Sequence, residues 1–185
     1  GDVIPVYILD DTNAGDWSMG GASRWWLHHA LESLNTSLDG KLQLYRGEPL
    51  AILSQLASDT SAQGVYWNRC YEPWRIARDG EIKTALKAAD IEVQSFNGSL
   101  LWEPWQVLKK DQTPYKVFTP YYRRGCLSKV SPRKPLAAPN SVRSLNLSED
   151  SLKLEDLELK PIIKWDTEMQ ARWDISEEAA QDRLD

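Results

Sequence analysis

The stretch VYWNRCYEPWRIARD, residues 65–79, changes character within a few positions. It opens as an apolar strand and turns polar and aromatic, with Asn68, Cys70, Glu72, Trp74 and three arginines, Arg69, Arg75 and Arg78, in quick succession. A packed core needs no such mixture; a ligand wall does, because a carboxylate accepts N–H groups and an arginine can only donate them. Glu72 follows the strand directly and is expected to project at its carboxyl end, with a solvated loop acid as the plain alternative. A second candidate group lies in DDTNAGDWSMGGASR, residues 10–24. Asp10, Asp11, Met19 and Arg24 border a loop whose glycines let backbone approach a ligand, and a helix capped by Ser23 would offer free N–H groups to an anion or carbonyl. An ordinary loop with an ordinary cap remains the other reading. His28 and His29 fall inside that helix with no third metal ligand and no paired nucleophile, and Cys70 and Cys126 are unrelated in position, so no zinc site, disulfide framework or catalytic residue is identified.

These side chains need elements to hold them. DVIPVYILDD reads as a buried parallel strand, and GGASRWWLHHALESLN as a helix with apolar residues at 26, 27, 30, 31 and 34. KLQLYRG is a second strand, EPLAILSQLASDT a helix with Pro49 in its first turn, and GVYWN a third strand. ARDGEIKTALKAAD continues as a helix and IEVQSFNG as a strand. The alternation specifies an α/β fold, a Rossmann-like parallel sheet with flanking helices joined by right-handed crossovers. Ligands of such sheets bind at the carboxyl ends of the strands, where strand order reverses. Both candidate groups sit at such ends.

From Leu101 onward the period stops. EPWQVLKKDQTPYKVFTPYYRRGCL suggests a loop wrapped on the domain and a short helix near YYRRGCL. SKVSPRKPLAAPNSVRS reads as an extended linker, LSEDSLKLEDLELKP as a short helix or an adhering segment, and ISEEAAQDRLD as a first helical turn with Ser176 as N-cap. The organisation expected is an α/β domain over 1–127, an interdomain linker over 128–174, and the start of another domain over 175–185. The 185 residues carry a net charge of −5, which argues against a generally basic nucleic-acid binder. The scattered run Lys116, Arg123, Arg124, Lys129, Arg133 and Lys134 is expected to be a solvated face with at most a minor steering role toward DNA. No apolar run reaches bilayer length and no leader is visible, so the expectation is a soluble, cytoplasmic protein without a membrane partner.

Four stretches in order, GASRWWLHHAL, VYWNRCYEPW followed by ARD, FNGSLLWEPWQVL and PYKVFTPYYRRGCL, resemble the N-terminal α/β domain of the DNA photolyase and cryptochrome family, closest in flavour to bacterial class I cyclobutane pyrimidine dimer photolyases. The resemblance implies a flavoprotein. Its α/β domain borders an antenna chromophore, which is methenyltetrahydrofolate, a deazaflavin or FMN. A separate helical domain binds FAD, flips the damaged dinucleotide from DNA and repairs it with light; the chemistry is the cofactors' and the placement the protein's. Asp10, Asp11, Met19, Arg24, Asn68, Cys70, Glu72, Trp74 and Arg75 fall where the family lines its antenna pocket. In deazaflavin-binding relatives a Glu matching Glu72 and a nearby Asp border the antenna; Cys70 holds the place of that Asp. In folate-binding relatives an Asn-Glu pair stands where this chain has Trp74 and Arg75, so a deazaflavin or FMN is favoured. The tryptophans at 25, 26 and 67 invite an electron-transfer reading, against which core and interdomain packing is the expectation.

The sequence departs from the family at both ends. The family's first strand, with its Trp-Phe-Arg and Asp-Leu-Arg pattern, has no counterpart, and neither does the helical FAD and DNA domain. The expectations are a defect in the middle of the sheet, closed by another segment or by self-association, and a deoxyribodipyrimidine photo-lyase function carried only by a longer parent. This chain alone would neither repair DNA nor retain FAD. A cryptochrome-type photoreceptor domain and a stand-alone nucleotide-binding or interaction module are the alternatives.

Overall fold

Four short parallel strands carry the fold: β1 (Val6–Leu9), β2 (Gln43–Arg46), β3 (Gly64–Asn68) and β4 (Glu92–Phe96). The computed structural model describes residues 1–184 except 130, 133, 138, 140, 146 and 148–150. Three helices link the strands: α1 (Gly21–Ser37), α2 (Pro49–Thr60) and α3 (Pro73–Ala88). The alternation is the one the sequence specifies. Helix α2 begins where Glu48 accepts the N–H groups of Leu50 (3.0 Å) and Ala51 (2.7 Å), with Pro49 at a position that has no donor to lose. Helix α1 begins earlier than expected. Its N-cap is Gly20, so Ser23 lies in the first turn and does not cap it.

The strands do not form one sheet. β1 pairs only with β2, from Val6 opposite Gln43 to Leu9 opposite Arg46, and β3 only with β4, from Gly64 opposite Glu92 to Asn68 opposite Phe96. The expected central defect is therefore present as a seam between β1 and β3, and no described residue closes it. The core divides at the same place. Leu9, Leu31, Leu42 and Leu44 cluster on the first pair, while Ile82, Leu86 and Val93 cluster on the second, with Leu50, Leu53, Val65 and Trp67 packed against them.

Past β4 the chain adheres to this framework. Glu103 and Val107 are buried, and Phe118–Pro120 leads into a π-helical turn, Tyr121–Cys126. Gly125 is required there, since a Cβ would stand 2.8 Å from a Val107 methyl. A 3₁₀ turn, Leu154–Leu157, delivers Leu157 and Leu159 into the first core, so this stretch takes the adhering form of the two expected. Two short helices follow, α4 (Thr167–Arg172) and α5 (Glu177–Asp182), the latter capped by Ser176 as expected, its hydroxyl accepting the Ala179 N–H at 3.0 Å. Lys116, Arg123, Arg124, Lys129 and Lys134 are exposed, and Arg133 lies outside the described residues. No helix of the described residues is long and apolar enough to cross a membrane.

Candidate functional site

The carboxyl ends of β1 and β3 meet at the seam. The Asp10 carboxylate is almost sealed, 4 % exposed, and organises the loop behind β1. It accepts the N–H groups of Thr12 (3.1 Å) and Asn13 (3.0 Å), the Asn13 amide (3.0 Å) and Nη1 of Arg78 (3.2 Å). Burial alone would raise its pKa, but the Asn13 bonds, with Arg78 and Thr12, outweigh burial and hold it below the ordinary carboxylate value. Asp11 receives Arg24 at 2.5 Å and Arg46 at 3.4 Å, and Nε of Arg24 donates to the Met19 carbonyl at 3.2 Å. The Met19 side chain packs on the first core. Asp11, Arg24 and the Met19 carbonyl are thus tied together, while Asp10 is tied to its own loop and to Arg78.

The second group is arranged differently from the sequence reading. Asn68 ends β3 in an exposed position, and α3 begins at Pro73 with Glu72 as N-cap, four residues before the Ala77 start expected. Pro73 presets the helical φ and lacks the N–H that a first-turn residue would leave unpaired. Trp74 and Arg75 consequently stand in a helical first turn. Nη1 of Arg75 lies 3.4 Å from Cys70 Sγ and 3.6 Å from Glu72 Oε1, and its guanidinium sits 5.0 Å from the Trp74 ring centre. Arg75 Nε is buried with no hydrogen-bond partner among the described residues, and Glu72 is half exposed at 52 %.

Three residues outside the nine candidates, Arg78, Asp79 and Tyr7, join the two groups. Arg78 grips Asp79 Oδ1 with Nε (3.0 Å) and Nη2 (2.8 Å) while reaching Asp10, and it too lies over Trp74, at 5.3 Å. Asp79 accepts the Trp67 indole N–H at 3.0 Å. The Tyr7 phenol stands among Arg75, Asp11, Arg24 and Arg78, its pKa pushed up to about 12, chiefly by burial. The signal for Arg78 is its i,i+4 spacing from Trp74, which shares a helix face only if the helix starts at Pro73. The Glu-Pro dipeptide that opens α2 recurs at 72–73 and 103–104, and would have marked that start.

A separate knot holds the outer side. Arg69 binds the buried Glu103 at 2.5 Å, Tyr71 donates its hydroxyl to the same carboxylate at 2.8 Å, and Arg69 covers Trp105 at 5.7 Å. Within this group the Arg75 Nε donor stands unpartnered among the described residues, beside a Glu72 carboxylate that accepts the Tyr71 N–H at 3.2 Å and is half exposed. A donor beside an acceptor can meet a ligand edge that carries both a carbonyl and an N–H.

Parallel strand pairs linked by helices, with polar side chains where the carboxyl ends of β1 and β3 meet, form an α/β domain of the kind that holds ligands at its strand ends. The family model for DNA photolyase matches residues 1–140. Deoxyribodipyrimidine photo-lyase of Agrobacterium fabrum is 38 % identical over the whole chain, and cryptochrome-1 of Arabidopsis thaliana is 32 % identical over 84 % of it. The crystal structure of a bacterial class III photolyase from Agrobacterium tumefaciens superposes over the full chain at a TM-score of 0.90 and 36 % identity. The chain belongs to the DNA photolyase family. It spans 39 % of the Agrobacterium fabrum photo-lyase and 24 % of the cryptochrome. The solved relative bears class III in its description, a class other than the class I that the motifs resemble.

Proposed function

We propose that this chain is the antenna and scaffold domain of a deoxyribodipyrimidine photo-lyase, and that its crevice takes a deazaflavin or FMN in preference to methenyltetrahydrofolate. In the longer cytoplasmic protein of this reading, FAD and damaged DNA belong to a helical domain outside these residues. When bound, the antenna absorbs light and passes excitation energy to the flavin. This chain's own residues bind and orient it. Glu72 accepts the ring-edge N–H, the Arg75 Nε–H donates to the adjoining carbonyl, and the ion pairs of Asp10, Asp11, Arg24 and Arg78 fix the loops on either side.

The observation that carries this reading is the buried, unpartnered Nε of Arg75 beside Glu72. An arginine cannot accept the N–H groups of a pterin as a carboxylate does, and it stands where a folate-binding member would present one. The test is reconstitution with FMN, a deazaflavin and methenyltetrahydrofolate in turn, with absorption recorded after gel filtration. Retention of either flavin-like ring, lost in Arg75→Ala, supports the assignment; retention of the folate alone, unchanged in Arg75→Ala, overturns it. The 32 % identity with a plant cryptochrome supports a photoreceptor domain as the second reading. Light-driven splitting of pyrimidine dimers by the full reading frame separates the two.

A further inference from the structure

Glu-Pro dipeptides stand at 48–49, 72–73 and 103–104, and their carboxylates have different uses. Glu48 accepts two N–H groups at the start of its own helix. Glu103 sends its carboxylate back across the fold to the loop that follows β3. Its side chain is 7 % exposed, and both oxygens are taken: Oε1 by Nε (3.0 Å) and Nη2 (2.5 Å) of Arg69, Oε2 by the Tyr71 hydroxyl at 2.8 Å. A buried carboxylate bonded at both oxygens is a rigid anchor, because the bonds are charge-assisted and a partner that lets go leaves the others unpaired away from water.

The anchor is tied to the framework through Arg69. Nη1 of Arg69 donates to the Ser95 carbonyl and to the Ser95 hydroxyl (3.2 Å), and its backbone N–H bonds to the Phe96 carbonyl at 2.9 Å. Lys83 of α3 donates to the same Ser95 hydroxyl at 2.7 Å. The Tyr71 branch leads the other way, into the crevice. Residues 69 and 71 flank Cys70, and the Tyr71 N–H is the group that meets Glu72 Oε2. The other Glu72 oxygen stands 3.6 Å from Nη1 of Arg75, which lies 3.4 Å from Cys70 Sγ. A glutamate that is half exposed has little packing to hold it and takes its direction from such polar partners.

We infer that Glu103 is a positioning residue for the crevice: through Arg69 and Tyr71 it fixes the chain on either side of Cys70 and so aims the Glu72 acceptor at its place beside the Arg75 donor. The inference rests on the crevice assignment made above, and Glu103 acts in it only through other residues. A ligand edge is read by the spacing of donor and acceptor, and a shift of about 1 Å in residues 70–72 is enough to spoil it. An amide at position 103 can keep the arrangement. Its oxygen accepts from Arg69 and its NH2 group donates to the Tyr71 oxygen, since a phenol accepts as well as donates. A methyl group at position 103 can do neither.

The test compares Glu103→Ala, Glu103→Gln and Tyr71→Phe in the protein expressed from its full reading frame, by two measurements. One needs no ligand: the rate at which iodoacetamide labels Cys70, followed on its own peptide by mass spectrometry. The other is the Kd for FMN and for a deazaflavin. Glu103→Ala should label about tenfold faster and bind about tenfold more weakly, and Tyr71→Phe, which removes one bond and leaves the ion pair, should move both about threefold. Glu103→Gln should stay within about twofold of the parent in both, because the bonds are remade. Hydrogen exchange of the β3 and β4 peptides should be unchanged in Tyr71→Phe, which separates a loosened loop from a loosened fold. Labelling that stays at the parent rate in Glu103→Ala and Tyr71→Phe overturns the inference, and so does faster labelling with antenna affinity unmoved. Loss in Glu103→Gln as large as in Glu103→Ala also overturns it, since the charge and not the geometry would then be the cause. Faster labelling in the variants of a parent that binds neither ring supports the positioning of Cys70 and Glu72 and overturns the antenna reading instead.

Discussion

The two half-sheets solve the same problem from different distances along the chain. The β3–β4 pair is closed by its neighbours in sequence: α2 and α3 supply its core, and Arg69 clamps Glu103 from 34 residues away. The β1–β2 pair depends on a segment more than a hundred residues further on. Leu157 and Leu159 complete its core, Leu152 N–H bonds to the Leu44 carbonyl at 2.9 Å, and the Ser151 hydroxyl accepts the Leu44 N–H, also at 2.9 Å. The first half is thus a long-range assembly and the second a local one. Across the seam, the buried Arg78–Asp10 pair ties one half to the other.

The strongest way to break this contrast is Leu157→Ala. Leu157 has no exposed surface, and truncating it should cost about 3 kcal/mol, within the usual range for buried leucines. Amide exchange should show Tyr45 losing protection well before Gln94. Equal loss at both would mean that the halves are one cooperative unit.

Arg78→Met comes next. It strands two buried carboxylates and unties the seam, and because the guanidinium is 19 % exposed the cost should fall to about 2 kcal/mol, below that of a fully buried pair. Urea unfolding followed by tryptophan fluorescence should split into two transitions where the parent shows one.

A smaller effect follows from pH. His28 is buried in α1, and burial, helped by Lys160 and His29, holds its pKa below the ordinary 6.5, so the folded state keeps it neutral. The unfolded chain takes up a proton as pH falls through about 6.5, and the folded chain takes it up only at a lower pH. Stability is therefore full above that pH and declines as pH falls through it, by at most about 1.4 kcal/mol per pH unit. His28→Gln should flatten the slope in unfolding curves between pH 7 and 5.

The smallest change is expected from Ser176→Ala. It removes an N-cap worth about 1 kcal/mol to α5 alone. The Ala179 amide should exchange faster while the urea midpoint of both halves stays in place.

Elements set by local pattern were legible in the sequence. GVYWN and IEVQSFNG contain β3 and β4, the Pro49 opener of α2 is where the pattern puts it, and Ser176 caps the last helix. A break in the middle of the sheet was also among the expectations, and the strands fall into two pairs. What escaped was decided by partners far off in the chain. Nothing within a few residues of Arg78 announces that it reaches Asp10, 68 positions earlier, and the leucines around 154–159 signal an apolar face without naming the strand pair that it covers. The α3 start was missed for a different reason: the strand-end reading of Trp74 and Arg75 drew attention from the Glu-Pro signal one residue before them. The candidate residues lie at the strand ends as expected, yet Asp11 and Arg24 are paired with each other and Asp10 is taken up by its own loop and Arg78.

The return of Leu157 and Leu159 also sets a schedule for biosynthesis. Every residue that closes the β3–β4 half has been made once Gln106 is added, whereas the β1–β2 half waits for Leu159, 53 residues later. At the usual 5–20 residues per second, that is roughly 3–10 s during which the earlier-made strands lack their cover. On the ribosome, the part of this domain that is synthesised first is the part that must be completed last, and its apolar face is the one a chaperone would meet.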